Sequence, residues 1–151
     1  MRISAKADYA VRAAVEMAAA GEQPVKGEVI AEAQDIPLQF LEHILLELKH
    51  ARLVRARRGA RGGYWLARPP EEITLANLIR AVEGPLANIQ DQAPEQTSYA
   101  GNAEQLSEVW IAVRASLRRV LEHVTVADLR DGRIPNDVLE LTRDEGARVT
   151  R

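Results

Sequence analysis

The sequence predicts a mainly α-helical fold with one small β-hairpin. Apolar residues recur at three- and four-residue spacing along most of the chain. The one alternating stretch, 53–57, is short, and after a glycine-rich segment a second short run follows at 64–66. With 151 residues the chain has the size of one compact domain plus an extension. Its expected divisions are a head over 1–85, a mobile loop over 86–102, a long helix over 103–130 and a tail over 131–151.

Ser4 is placed to cap a first helix whose apolar positions Ala7, Ala10, Val11, Ala14, Val15 and Ala18 share one side and which stops at Gly21. After Pro24 a short helix is expected to run to Ala33 with Val29, Ile30 and Ala33 inward. Gln34-Asp35-Ile36 breaks it, and Pro37 sits where the next helix begins. Two short helices around such a turn make a helix-turn-helix candidate. On the second, Leu41, Ile44, Leu45 and Leu48 form one stripe, leaving Gln39, Glu42, His43, Leu46 and His50 on the other face. In such a motif this outer face reads bases. Amide, carboxylate and imidazole groups meet base edges, and an isolated apolar Leu46 suits a thymine methyl group; scattered surface leucines are also common.

Beyond this helix, Val54 and Ala56 alternate with Arg55 and Arg57, and Tyr64-Trp65-Leu66 reads as a returning strand. The tip between them, Arg58-Gly59-Ala60-Arg61-Gly62-Gly63, combines backbone freedom with arginines suited to a narrow, negative minor groove. A hairpin tip also favours glycine and surface arginine on structural grounds alone. Directly after a recognition helix, however, this is the build of a wing, which makes the head a winged helix-turn-helix. The lysine and hydroxyl pattern of a nucleotide-binding P-loop is missing.

Pro69-Pro70 marks a boundary, after which Thr74 caps a helix with Leu75, Leu78, Ile79 and Val82 inward, closed by Gly84-Pro85. Residues 86–102 lack periodicity and read as a long loop. Leu106, Val109, Trp110, Val113, Leu117, Val120, Leu121 and Val124 then mark a long helix. Its stripe carries more apolar surface than a compact head can cover, so Leu106, Val109, Trp110, Val113, Leu117, Val120 and Val124 are expected to pack against a second copy. Thr125 caps a last turn through Val126 and Leu129. From Asp131 onward the chain is charged, with Ile134, Val138, Leu139 and Leu141 as its few anchors, and is expected to fray.

The net charge of −2 conceals an asymmetry. Residues 1–70 hold 11 Lys/Arg against 8 Asp/Glu, a net +3, and residues 71–151 hold 9 against 14, a net −5. Between Leu48 and Pro70 there is no acidic residue, while Lys49, Arg52, Arg55, Arg57, Arg58, Arg61 and Arg68 all fall there. A cluster of this kind is either a solvated face or a footprint for phosphate. No apolar run approaches the ~20 residues of a membrane-spanning helix, and no signal-peptide core opens the chain, so a cytoplasmic location with no membrane partner is expected. The absence of cysteine excludes disulfides and thiolate-held metal.

The segments MRISAKADYAVRAA, IPLQFLEHIL, LVRARRGARGGYWLARPPEEITLANLIRAVEG and VWIAVRASLRRVLEHVTVADL together strongly resemble the Rrf2 family of winged helix-turn-helix transcription regulators, over roughly residues 1–130. That family includes iron–sulfur, nitric-oxide and cysteine-metabolism regulators. The resemblance implies a dimer with crossed long helices, recognition helices in adjacent major grooves of a palindromic operator, and wings in the minor groove. It places Gln39, Glu42 and His43 at base-reading positions and Arg58 at the minor-groove position. Members that hold a cluster do so with three cysteines between the short and long helices. Here that stretch has Ser98, Tyr99 and Gly101 but no cysteine, so no cofactor is expected and the chain reads as a cysteine-free member. Asp8 matches an acidic cluster ligand of nitric-oxide-sensing members; without thiolates it reads as a carboxylate favoured at a helix start.

The sequence therefore points to a homodimeric DNA-binding regulator, a repressor by preference, with DNA contacts at Gln39, Glu42, His43, Leu46, Arg57, Arg58 and Arg61. An unknown small-molecule or protein effector would act at 86–102 or at the junction of head and long helix. The competing reading is an effector- or protein-binding module in which DNA contact is secondary, and a specific DNA footprint separates the two. His43, His50 and His123 belong to no Ser/His/Asp set and no metal-ligand spacing, so the chain does not read as an enzyme.

Overall fold

A computed structural model describes residues 2–150. Its helices are α1 (Ala5–Ala19), α2 (Gly27–Gln34), α3 (Leu38–His50), α4 (Leu75–Glu83), α5 (Leu106–Leu121), α6 (Val126–Asp131) and α7 (Asn136–Leu141). Strands β1 (Val54–Arg57) and β2 (Gly63–Leu66) form one antiparallel hairpin.

The head is built around α1. Its Ser4 cap accepts from the Ala7 N–H at 3.0 Å, and Ala7, Ala10, Ala13, Ala14, Met17 and Ala18 are buried. Because alanine adds so little bulk, α2, α3, α4 and α6 all pack closely on this one helix. Ile30, Leu41, Ile44, Leu45, Leu48, Leu53, Val54, Ile73, Leu78, Val82 and Val126 fill the space between them. Between α2 and α3, Asp35 adopts a left-handed φ of 51°, and the Ile36 N–H returns to the Ala31 carbonyl at 2.9 Å.

In the hairpin, Val54 faces Leu66 and Ala56 faces Tyr64, while Arg55 pairs with Trp65 and Arg57 with Gly63 on the alternate positions. Val25, just before α2, adds a third, one-residue strand: its N–H donates to the Tyr64 carbonyl at 2.9 Å and its carbonyl accepts from the Tyr64 N–H at 2.8 Å.

Several expectations need correction. Val29 and Ala33 are exposed, not inward. A helix of two turns buries one narrow face, here Gly27 and Ile30, which leaves positions 29 and 33 on the other side. Helix α5 stops at Leu121, and Val124 is only 2% exposed, packed inside its own chain. Val124 therefore leaves the set of dimer-face residues. Its carbonyl accepts from the Leu75 N–H at 3.0 Å, and the Val126 N–H donates to the Ile73 carbonyl at 2.9 Å. Thr74 and Thr125, each the cap of a capping box, lie side by side in this bridge. Helix α6 thus returns to complete the head, which does not end at residue 85. Residues 86–102 contain short 3-10 turns at Pro94–Gln96 and Gly101–Ala103, and within the tail α7 forms at Asn136–Leu141.

Candidate nucleic-acid interface

Helix α3 turns its leucine stripe fully into the core and exposes Gln39, Glu42, His43, Leu46 and His50 together. Leu46 is 48% exposed in the middle of this polar face. Glu42, Leu46 and Lys49 line one crevice with Lys26, Arg57, Arg58 and Gly59, so the helix face and the wing open onto the same side. Arg57, Arg58 and Arg61 are all exposed. They are not equivalent, because an Arg57 terminal nitrogen donates to the Arg61 carbonyl at 2.9 Å and braces the tip from within. The guanidinium groups of Arg58 and Arg61 make no such internal contact among the described residues.

Contacts that the periodicity does not reveal hold α3 in place. Lys6 on α1 pairs with Glu47 at 2.8 Å. Arg12 donates to the Gln34 carbonyl at the end of α2 at 2.8 Å, pairs with Asp8 at 3.0 Å and lies 4.7 Å from the centre of the Tyr9 ring. Tyr9 in turn meets Phe40 edge-on, with ring centres 5.5 Å apart at 81°. One arginine thereby joins α1, the turn of the motif and, through Tyr9, the first turn of α3. Phe40 is still 37% exposed, next to Gln39 on the outer face of α3.

Away from this face lies α5, none of whose side chains is buried within the chain. Val109 is 51% exposed, and Leu106, Trp110, Val113, Leu117 and Val120 are half-buried. Residues 86–102 strap one flank of the helix: Glu95 pairs with Arg114, and the Trp110 indole N–H donates to the Tyr99 hydroxyl at 3.1 Å. Between the helix, the start of this segment and the head lies a groove of about 460 Å³ lined by Ile3, Ala7, Ile79, Leu86, Val113 and Leu117. With its own backbone amide contributing most and Arg114 next, these contacts hold the Glu95 carboxyl below the ordinary glutamate range.

The family described as iron-dependent transcriptional regulators, Rrf2, matches residues 3–132. The chain belongs to the Rrf2 family. Rv1287 of Mycobacterium tuberculosis, an HTH-type transcriptional regulator by name, is 49% identical over 145 residues, which span 95% of this chain and 90% of that protein. CymR of Bacillus subtilis is 33% identical over 130 residues, 85% of this chain and 89% of CymR. The solved structure of that CymR, described as a global cysteine regulator, superposes with a TM-score of 0.71 at 32% identity, over 87% of this chain and 98% of CymR. That of IscR from T. potens gives 0.69 at 32% identity, over 100% and 93%. This Rrf2 protein is a DNA-binding winged-helix transcription regulator and not an enzyme. No described helix is long and apolar enough to cross a membrane.

Iron appears in the family's description, so the donor set matters. The sequence has no cysteine, and Ser98, Tyr99 and Gly101 lie in the strap. The Asp8 carboxylate is paired with Arg12, and no group of three or more His, Cys, Asp or Glu comes together among the described residues. These side chains do not fit a cluster held by thiolates.

Proposed function

We propose that this Rrf2 protein acts in the cytoplasm as a homodimer that binds a palindromic operator, with α3 in the major groove and the wing in the minor groove, and represses by occupying it. The observation that carries this reading is the shared crevice between the α3 face and the wing. There the polar face of α3, with Lys49 at its edge, and the wing arginines open onto one side of the head. Phosphate contacts fix the register of such a face, and base contacts at Gln39, Glu42 and His43 choose the sequence. A winged head covers a half-site, and twofold symmetry sets two heads about one helical turn of DNA apart, ~34–36 Å. The open apolar face of α5 supports the dimer. The absence of thiolates supports regulation without a cysteine-held iron–sulfur cluster, with an effector, a small molecule or a protein, acting on the strap or at the junction of α5 with the head.

Selection from a random duplex pool with the purified full chain tests this. It should deliver a palindrome bound with a steep salt dependence, each neutralised phosphate contributing about −0.9 to the slope of log K against log salt. Arg58→Ala should weaken binding to that palindrome by ~1–3 kcal/mol, whereas His43→Ala should relax the preference at particular base pairs. A salt slope near zero, or affinity unchanged in both variants, would overturn the assignment of this face.

A further inference from the structure

Gly59 stands at the turn of the wing with a φ of +102°, and its carbonyl accepts from the Gly62 N–H at 3.0 Å. The same carbonyl accepts from the ammonium of Lys26 at 2.5 Å, a residue 33 positions earlier in the chain. Lys26 is the N-cap residue of α2, but its side chain makes no capping bond and extends away from the helix end. Its root is fixed relative to the hairpin, because the preceding Val25 is bonded to Tyr64 in both directions. Its own carbonyl accepts from Val29 and Ile30 at 3.1 and 3.2 Å, so the start of α2 holds it as well. The Lys49 ammonium, in the same crevice, has no partner among the described residues and remains free for phosphate.

We infer that Lys26 is a positioning residue for the wing: by holding the Gly59 carbonyl it fixes the Gly59–Ala60 peptide, one residue beyond Arg58, and with it the turn from which Arg58 leaves the hairpin. A two-stranded hairpin is only marginally ordered by itself in water, and ordering it on DNA would subtract from affinity. The Arg57 brace works from inside the tip and Lys26 from the helix side, so the tip is ordered before DNA arrives. This inference rests on the DNA-binding reading of the wing given above.

Lys26→Met keeps the stem and removes the donor. In the full-length free protein it should raise amide hydrogen exchange between Gly59 and Gly62 several-fold. On the duplex selected with the wild-type chain, loss of one charge-assisted hydrogen bond should weaken binding by about tenfold. Lys26→Met should then add almost nothing to Arg58→Ala in a double-mutant cycle, since it acts through that arginine. Unchanged exchange at the tip would overturn the inference. So would a loss that is fully additive with Arg58→Ala and lowers the salt slope by about 0.9, which is the signature of a direct phosphate contact. If the wild-type chain selects no duplex, the DNA-binding reading fails by itself, and the exchange comparison alone decides whether Lys26 holds the wing.

Discussion

A Cβ placed on Gly63 would lie 2.6 Å from the Val25 carbonyl oxygen, at a φ of +144° that side chains rarely adopt. No rotamer relieves this, because the obstacle is backbone, and that backbone forms the third strand against Tyr64. Gly63→Ala should therefore push Val25 off the hairpin and carry Lys26 with it. The expected cost is ~1–3 kcal/mol of folding stability, read from the denaturant midpoint, together with weaker DNA binding. A wild-type midpoint would show that the strand at Val25 has slack. The run RGARGG announces a tight tip, but not which glycine is pressed against what, since Val25 lies far away in sequence. The same limit explains Lys26, Arg12 and Phe40: their partners Gly59, Gln34 and Tyr9 belong to other elements. Gln39, Glu42, His43 and Leu46 were legible because the helical period alone puts them opposite the leucine stripe.

Period carries less information as elements shorten. Helix α2 has only eight residues, so two faces fit its apolar residues equally well, and packing on α1 and α3 selects Ile30 over Val29 and Ala33. The strap over 86–102 has no period at all. Its turn at Pro94–Gln96, its buried Pro94 and its contacts to Trp110 and Arg114 go with docking against α5. One of those contacts is sensitive to acid. Because Glu95 is held below the ordinary glutamate value, its hold on Arg114 is complete above that ordinary value and is lost as pH falls through the lowered one. Acidification should thus loosen the strap at Glu95. In a Trp65→Phe background, Trp110 fluorescence should report an acid transition that Glu95→Gln abolishes. A transition that survives Glu95→Gln unchanged would belong to another carboxylate.

At the scale of the molecule, the return of α6 ties the base of α5 to the head, and in the proposed dimer this would set where a second copy sits. The bridge at Thr74 and Thr125 consists of single residues with no sequence pattern, which is why 1–85 looked self-sufficient and Val124 looked like part of the long stripe. With Val124 in the core, the base of α5 is anchored to the head, while along the shaft Val109 is exposed and Leu106, Trp110, Val113, Leu117 and Val120 are half-buried. An apolar stripe of this length on a helix with no buried residue calls for a covering surface, and a second α5 related by a twofold axis supplies one. In the proposed dimer the anchored base would pass the separation of the two α5 helices directly to the two copies of α3. Leu117 lies midway and lines the groove between α5 and the head. Leu117→Glu would bury an unpaired charge there and should cost on the order of several kcal/mol of association. Light scattering should find monomers or aggregates, and binding to the selected palindrome should be lost although every DNA-facing residue is intact. Val109→Glu, at a position 51% exposed within the chain, leaves the head undisturbed and should give the same result. If both variants remain dimers with normal affinity, the stripe serves its own chain and the second copy docks on another surface.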